Sequence, residues 1–276
     1  MNKKDRLLDL LTPIFEKAIR ENNSNSLYQF LIQNCELPGR RANLELAHAF
    51  SICVMNDKKA LLKSAKWQLL EGLVSVSEAV APVNSPKEFL PFSGYIGMGG
   101  FVKKNPEYLD KVLQHYKNAA VDGRWRVREA IAQGTKYFIA DHADSIFIEF
   151  KKWVDEHDFM LIRGALAGLA IPSFLEDQKY SVKLLDLLGD VITIVQQIEE
   201  VHYKDDKFII LEKGLKFIIS VAVASNPRYG FELMFHWTDG ASSKLTKILM
   251  ENCKKARIAK KFPQEVQAVM KILKSN

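Results

Sequence analysis

Arg124, Trp125, Arg126, Arg128 and Glu129 form the densest polar constellation in the sequence. An indole can stack on a base or on a partner side chain, and neighbouring guanidinium groups add cation–π attraction and hydrogen bonds to anions. Glu129 follows Trp125 by one helical turn. Simpler roles compete: Trp125 can cover the preceding loop as a plug, and Glu129 can pair with Arg126 and Arg128 on a solvated face. Pairing is the less demanding account of Glu129, so no catalytic residue is assigned.

A second group is defined by charge. The chain of 276 residues carries 39 Lys and Arg against 33 Asp and Glu, a net +6. Residues 241–276 hold nine of the cations and two of the anions, so residues 1–240 sum to −1. Lys254, Lys255, Lys260 and Lys261 are the candidate binding residues of this basic end, suited to phosphate or to an acidic protein surface; a solvated helical face is the alternative. The partner expected is therefore protein or nucleic acid, duplex DNA included.

Other chemistries find no support in residue spacing. His48, His115, His142, His157, His202 and His236 form no HExxH and no Cys/His ligand set, so no metal is expected. Cys35, Cys53 and Cys253 fit neither a disulfide framework nor a CxxC knuckle and read as reduced, buried thiols. Gly94, Gly97, Gly99 and Gly100 are not a phosphate loop, because no strand precedes them and no Lys-Ser/Thr follows. Close helix packing is their expected role. With no GxSxG elbow or Cys-centred signature, a noncatalytic chain without cofactor is expected.

The elements that position these residues read as helices throughout. Apolar residues recur at three and four, and no alternating run bounded by hairpin dipeptides occurs. Val127, Ala130, Ile131, Gly134 and Phe138 make one narrow stripe, and Ile162, Ala165, Leu166 and Leu169 make another. An offset of 35 residues superposes them and places Arg128 on Arg163, Ala130 on Ala165 and Ala132 on Ala167. A longer offset of 121 maps Asn105, Pro106, Tyr108 and His115 onto Asn226, Pro227, Tyr229 and His236. Asn-Pro reads as a helix start, with Asn capping and Pro at the first helical position.

Helix pairs of this length cannot bury their own apolar faces and need stacked neighbours. Helices are expected over 58–80, 87–104, 106–122, 124–140, 142–156, 158–173, 178–201, 205–225, 227–238 and 242–260, among others, as a single domain over 1–276 with 241–276 as a basic helical cap. The longest apolar stretches, 165–171 and 217–224, are far shorter than the roughly 18 residues of a membrane span. No membrane partner and no signal peptide are expected, and a cytoplasmic location is the default.

The segment 122–139, DGRWRVREAIAQGTKYFI, resembles a HEAT repeat. In that family an Asp in the turn precedes a Val-Arg pair opening the second helix, followed by small residues. Asp122, Val127, Arg128, Ala130 and Ala132 match, as do Asp158, Ile162, Arg163, Ala165 and Ala167; the match covers residues 86–240 well and the ends poorly. The resemblance implies a right-handed superhelical α-solenoid of about six to seven helix pairs, with Arg128 and Arg163 in an Asp–Arg ladder along the stack. Within HEAT-like proteins the chain also looks somewhat like the bacterial alkylpurine DNA glycosylases. That likeness implies a DNA-binding repair protein holding DNA in a concave basic groove, with an acidic residue close behind a tryptophan to stabilise positive charge developing on the sugar; by that likeness Trp125 and Glu129 are the pair, and Glu129 is the sole catalytic candidate.

Overall fold

The structure, a computed structural model, describes residues 3–56 and 62–275. Fifteen α-helices and three short 3-10 helices make up their secondary structure, with no strand among the described residues, as the three-and-four periodicity requires. Two compact units, Met1–His142 and Ala143–Asn276, subdivide the expected single span. Their boundary falls where His142, at φ −130° and ψ 24°, interrupts a helix.

The first unit contains α1 (Lys3–Glu21), α2 (Asn25–Gln33), α3 (Leu44–Met55), α4 (Lys63–Val74), α5 (Phe89–Lys104), α6 (Leu109–Ala120) and α7 (Trp125–Thr135), and α8 (Ile139–Asp155) begins in it. The start of the helix expected over 58–80 lies outside the described residues. The second unit holds α9 (Phe159–Leu169), α10 (Gln178–Gln197), α11 (Asp206–Ser225), α12 (Pro227–His236), α13 (Ser243–Cys253), α14 (Ala256–Ala259) and α15 (Pro263–Ser275). The helix expected over 242–260 is two pieces, because Lys255 adopts an extended conformation between them.

Each unit is organised around one apolar helix. Every residue of α5 from Phe89 to Val102 is buried, and α3, α4, α6 and α7 pack on it. The glycines permit this approach: a Cβ at Gly99 would overlap the Gly134 carbonyl of α7, and one at Gly97 would meet Phe50 and Leu70. Close packing is thus the role of these glycines, and it compensates their helix-propensity cost of about 1 kcal/mol each. In the second unit α9, α10, α12 and α13 pack on α11 in the same order. Here Asn252 of α13, fully buried, accepts from Ser220 N at 2.8 Å and donates to Leu215 O at 2.9 Å, a polar clamp where the first unit has paired glycines.

The 121-residue echo now has a structural meaning. Asn105 ends α5 at φ −137° and ψ 69°, and Asn226 ends α11 at φ −139° and ψ 81°, so the echo carries one central helix onto the other. Neither Asn caps the following helix with its side chain; Asn105 Nδ2 instead bonds Phe101 O behind it. The 35-residue echo is looser. Asp158 caps α9 by accepting from Met160 N and Leu161 N, whereas Asp122 lies two residues ahead of the α7 N-cap, Arg124. Both stripes are nonetheless buried, with Val127, Ala130, Ile131, Ile162, Ala165 and Leu166 all at zero exposure.

Candidate functional site

The constellation at the start of α7 divides between the two sides of the helix. Trp125 is the first residue of α7 and stays 42% exposed, away from the stripe as the periodicity predicts. Arg124, Arg126 and Arg128 are buried instead. Arg124 makes a bidentate pair with Asp122, at 2.9 Å and 2.7 Å, and reaches the carbonyls of Val76 and Ala81. Its proton is held more tightly than usual, chiefly by the hydrogen bond to Asp122. Arg128 donates to the carbonyls of Asp122 and Gly123, closing the turn before its own helix.

Arg126 goes elsewhere. Its Nη1 lies 2.9 Å from Glu88 Oε2, and Glu88, just ahead of α5, is wholly buried. Nη2 donates to Gly39 O at 2.7 Å and to Asn84 Oδ1 at 3.2 Å. Asn84 closes the network: its N donates to Glu88 Oε2 at 2.6 Å, and its Oδ1 accepts from Gly39 N at 3.1 Å. Asn84 sits at φ +65°, a left-handed conformation that Asn tolerates, and a Cβ at Gly39 would come within 2.6 Å of Glu36 O. One buried ion pair therefore ties three segments together: the loop after α2, the turn before α5 and the start of α7. The ion pair Arg126 makes is with Glu88, 38 residues upstream, where local spacing suggested Glu129.

This node shapes a cavity of about 290 Å³. Trp125, Arg126, Glu129 and Gln133 of α7 form one side, Phe92 of α5 contributes, and Arg40, Arg41, Ala42 and Leu44 form the other. The Arg126 guanidinium lies 4.3 Å from the Trp125 ring centroid and covers one face of the indole. Arg126 Nε and Glu88 Oε1 are buried without a hydrogen-bond partner. Arg40 and Arg41 are exposed and make no hydrogen bond or ion pair among the described residues. Lys136, whose Nζ donates to Gln133 at 2.8 Å, is held below its usual proton affinity by burial, with Glu129 opposing that effect.

The structure thus brings Trp125, Arg126 and Glu129 to one pocket and turns Arg124 and Arg128 into the turn behind it. Arg163, half-buried on α9, rests its stem against Gly214 of α11. Lys254 pairs with Glu251, while Lys255, Lys260 and Lys261 flank the short α14. Sequence reasoning passed over Arg40, Arg41, Asn84 and Glu88, since loop residues show no periodicity. Two adjacent arginines directly after Pro38-Gly39 are the one signal that could have found part of this loop.

The second unit has a larger cavity, about 540 Å³, over Phe147, Ile148 and Leu187. Its charges are already engaged: Asp144 with Lys179 and Lys183, Lys151 with Asp190, and Asp186 with the Tyr229 hydroxyl. A third cavity, about 370 Å³, is lined by Lys216, Lys247, Met250, Glu251 and Lys254. Adding 121 to Arg126, Glu129 and Gln133 gives Lys247, Met250 and Lys254, so it occupies the equivalent place in the second unit. Thr246 stands there in place of Trp125. Among the described residues no group of His, Cys, Asp and Glu could hold a metal ion, and no helix is long and apolar enough to cross a membrane. Compared with protein-family models, curated proteins and solved structures, the chain finds no match.

Proposed function

We propose that this chain is a noncatalytic, cytoplasmic HEAT-like scaffold, an α-solenoid of helix pairs that binds a macromolecular partner through its concave face and basic end. The observation that carries the reading is the Trp125 pocket, where an indole with one face open stands beside two arginines that have no partner within the described chain. Side chains of this kind dominate binding energy at protein interfaces. The buried Arg126–Glu88 pair fixes the pocket in advance, which reduces the ordering cost of association. Lys260 and Lys261, exposed after α14, offer further charge in the second unit.

A second reading, a DNA-binding repair protein of the alkylpurine DNA glycosylase type, is favoured by one observation: Glu129 lines the same pocket as Trp125. It requires a carboxylate near the sugar and an aromatic wall for the lesion. Incubation with duplex DNA containing N-methylated purines separates the two. The scaffold reading expects no free base, whereas release by the wild type that Glu129→Gln abolishes, with DNA affinity and thermal stability retained, overturns it. Duplex binding measured at two salt concentrations locates any phosphate contacts, because replacing Lys254, Lys255, Lys260 and Lys261 together must flatten the salt slope if the basic end holds DNA.

A further inference from the structure

We propose that the Trp125 pocket receives an acidic peptide segment, seating one of its aromatic side chains on the open face of Trp125 while neighbouring carboxylates pair with Arg40 and Arg41. The proposal rests on the scaffold reading and names the chemistry of its partner.

Charge accounting selects an anion. Arg126 is neutralised by Glu88 at 2.9 Å, and Glu129 acts on Lys136. The carboxylates nearest to Arg40 and Arg41 along the chain, Glu36 and Glu45, both pair with Lys3, at 2.7 Å and 3.1 Å. Two guanidinium charges remain uncompensated on a loop that the buried node holds in place. Guanidinium forks match carboxylates in bidentate geometry.

Shape and polarity select a peptide. A cavity of about 290 Å³ admits one planar side chain, and Phe92 and the exposed Leu44 give it apolar walls. Arg126 already covers one indole face, leaving the other for an aromatic ring. A nucleic-acid strand carries an anion at every nucleotide and needs a track of cations. The pocket instead offers two adjacent arginines, which suit a short motif with an aromatic anchor and flanking acids, while the Glu129 carboxylate in its lining works against a continuous phosphate backbone.

The test is selection from a display library of random peptides about twelve residues long on the full chain, followed by affinity and fluorescence measurements with the selected peptides. Expected sequences carry an aromatic residue beside two or more Asp or Glu. Trp67, Trp153 and Trp237 are 7%, 0% and 4% exposed, so the fluorescence that acrylamide quenches belongs to Trp125, and bound peptide must shield it. Arg40→Ser and Arg41→Ser each weaken binding about tenfold. Trp125→Ala weakens it about thirtyfold. Because Arg40 and Arg41 are exposed, their variants test the site without disturbing the fold. Selected peptides that are basic, that lack acids, or that bind without shielding Trp125 overturn the proposal. Oligothymidylate forms the second arm: if it shields Trp125 where acidic peptides do not, the peptide is refuted while the pocket remains a binding site. Release of methylated bases, by contrast, removes the scaffold reading itself.

Discussion

Two helical units packed in the same order solve the problem of a buried carboxylate differently. In the first, Glu88 is wholly buried against Arg126, and one atom of each, Glu88 Oε1 and Arg126 Nε, goes without a partner. In the second, Glu212 of α11 shares its oxygens between two lysines, Lys216 at 2.6 Å and Lys244 at 3.1 Å, whose side chains stay 30% and 21% exposed. The second arrangement is a satisfied clip between α11 and α13. The first is costlier, since desolvating two charges is not fully offset while hydrogen-bonding capacity is left over. What it gains is position: the Trp125 indole and the Arg40–Arg41 loop are both held by it. The second unit has a cavity at the equivalent place but neither an indole nor such a node.

The largest effect is expected where a carboxylate is introduced with no partner. Ala130, fully buried on the α7 stripe, is the reference point. Ala130→Asp places a charge in an apolar seam and costs several kcal/mol, about 4 or more, so folded protein is lost from expression extracts. A variant melting at the wild-type temperature refutes the stripe.

Next in size is Glu88→Ala, which strands the Arg126 guanidinium and removes the acceptor of Asn84 N. A loss of about 3–5 kcal/mol is expected in urea denaturation. Glu212→Ala releases two lysines that already reach water, and about 1 kcal/mol is expected. Equal losses at the two sites erase the distinction between positioning node and clip.

How much of this was legible in the sequence follows from the range of each interaction. The all-helical class, the burial of Val127, Ala130 and Ile131, and the outward face of Trp125 are set by neighbours three and four residues away, and periodicity reports such contacts directly. The Asn105 and Asn226 echo marked equivalent helix ends because the backbone conformation there is local. Arg126 shows the limit. Arginine is ordinarily a surface residue, and the partner that buries it lies 38 residues upstream in a turn, so helical spacing pointed to Glu129 instead. Arg40 and Arg41 join the site only because that same long-range contact fixes their loop. The division near His142 was legible only as a helix boundary, between the spans 124–140 and 142–156; that two compact units meet there depends on long-range packing.

Acid should also separate the units. His48 is held below its ordinary value of 6.5 by burial and by Lys136 and Lys4, and His115 by burial against the opposing Glu71. Folding therefore favours their neutral forms, the unfolded chain binds more protons, and stability of the first unit falls as pH drops below about 6.5. In the second unit, burial opposes ionisation of Asp158 and Glu212, yet hydrogen bonds outweigh it, from Lys207 and backbone N–H groups in one case and from Lys216 and Lys244 in the other. Both carboxyls are held low, so their stabilisation is present above their ordinary values of 3.8 and 4.5 and lost as pH falls through the lowered ones. Hydrogen exchange at pH 7, 5.5 and about 4 should show α3 and α6 losing protection before α9 and α11. The reverse order contradicts the assignment.

The smallest effect on folding is expected at Trp125 itself. Its ring is 42% exposed, and among the described residues the cation–π contact with Arg126 is its one ring contact of either aromatic or cationic kind. Arg126 keeps Glu88, Gly39 and Asn84 when the indole is removed. Trp125→Ala should therefore cost only about 0.5–1 kcal/mol in urea denaturation, the value of one such contact at a partly exposed site. Acrylamide quenching should nearly vanish with it, since the three remaining tryptophans are buried. A loss of several kcal/mol instead makes Trp125 a plug over the preceding loop and removes it from the binding surface. A small loss shows that folding hardly requires this exposed ring, and leaves Trp125 available to the binding surface proposed for it.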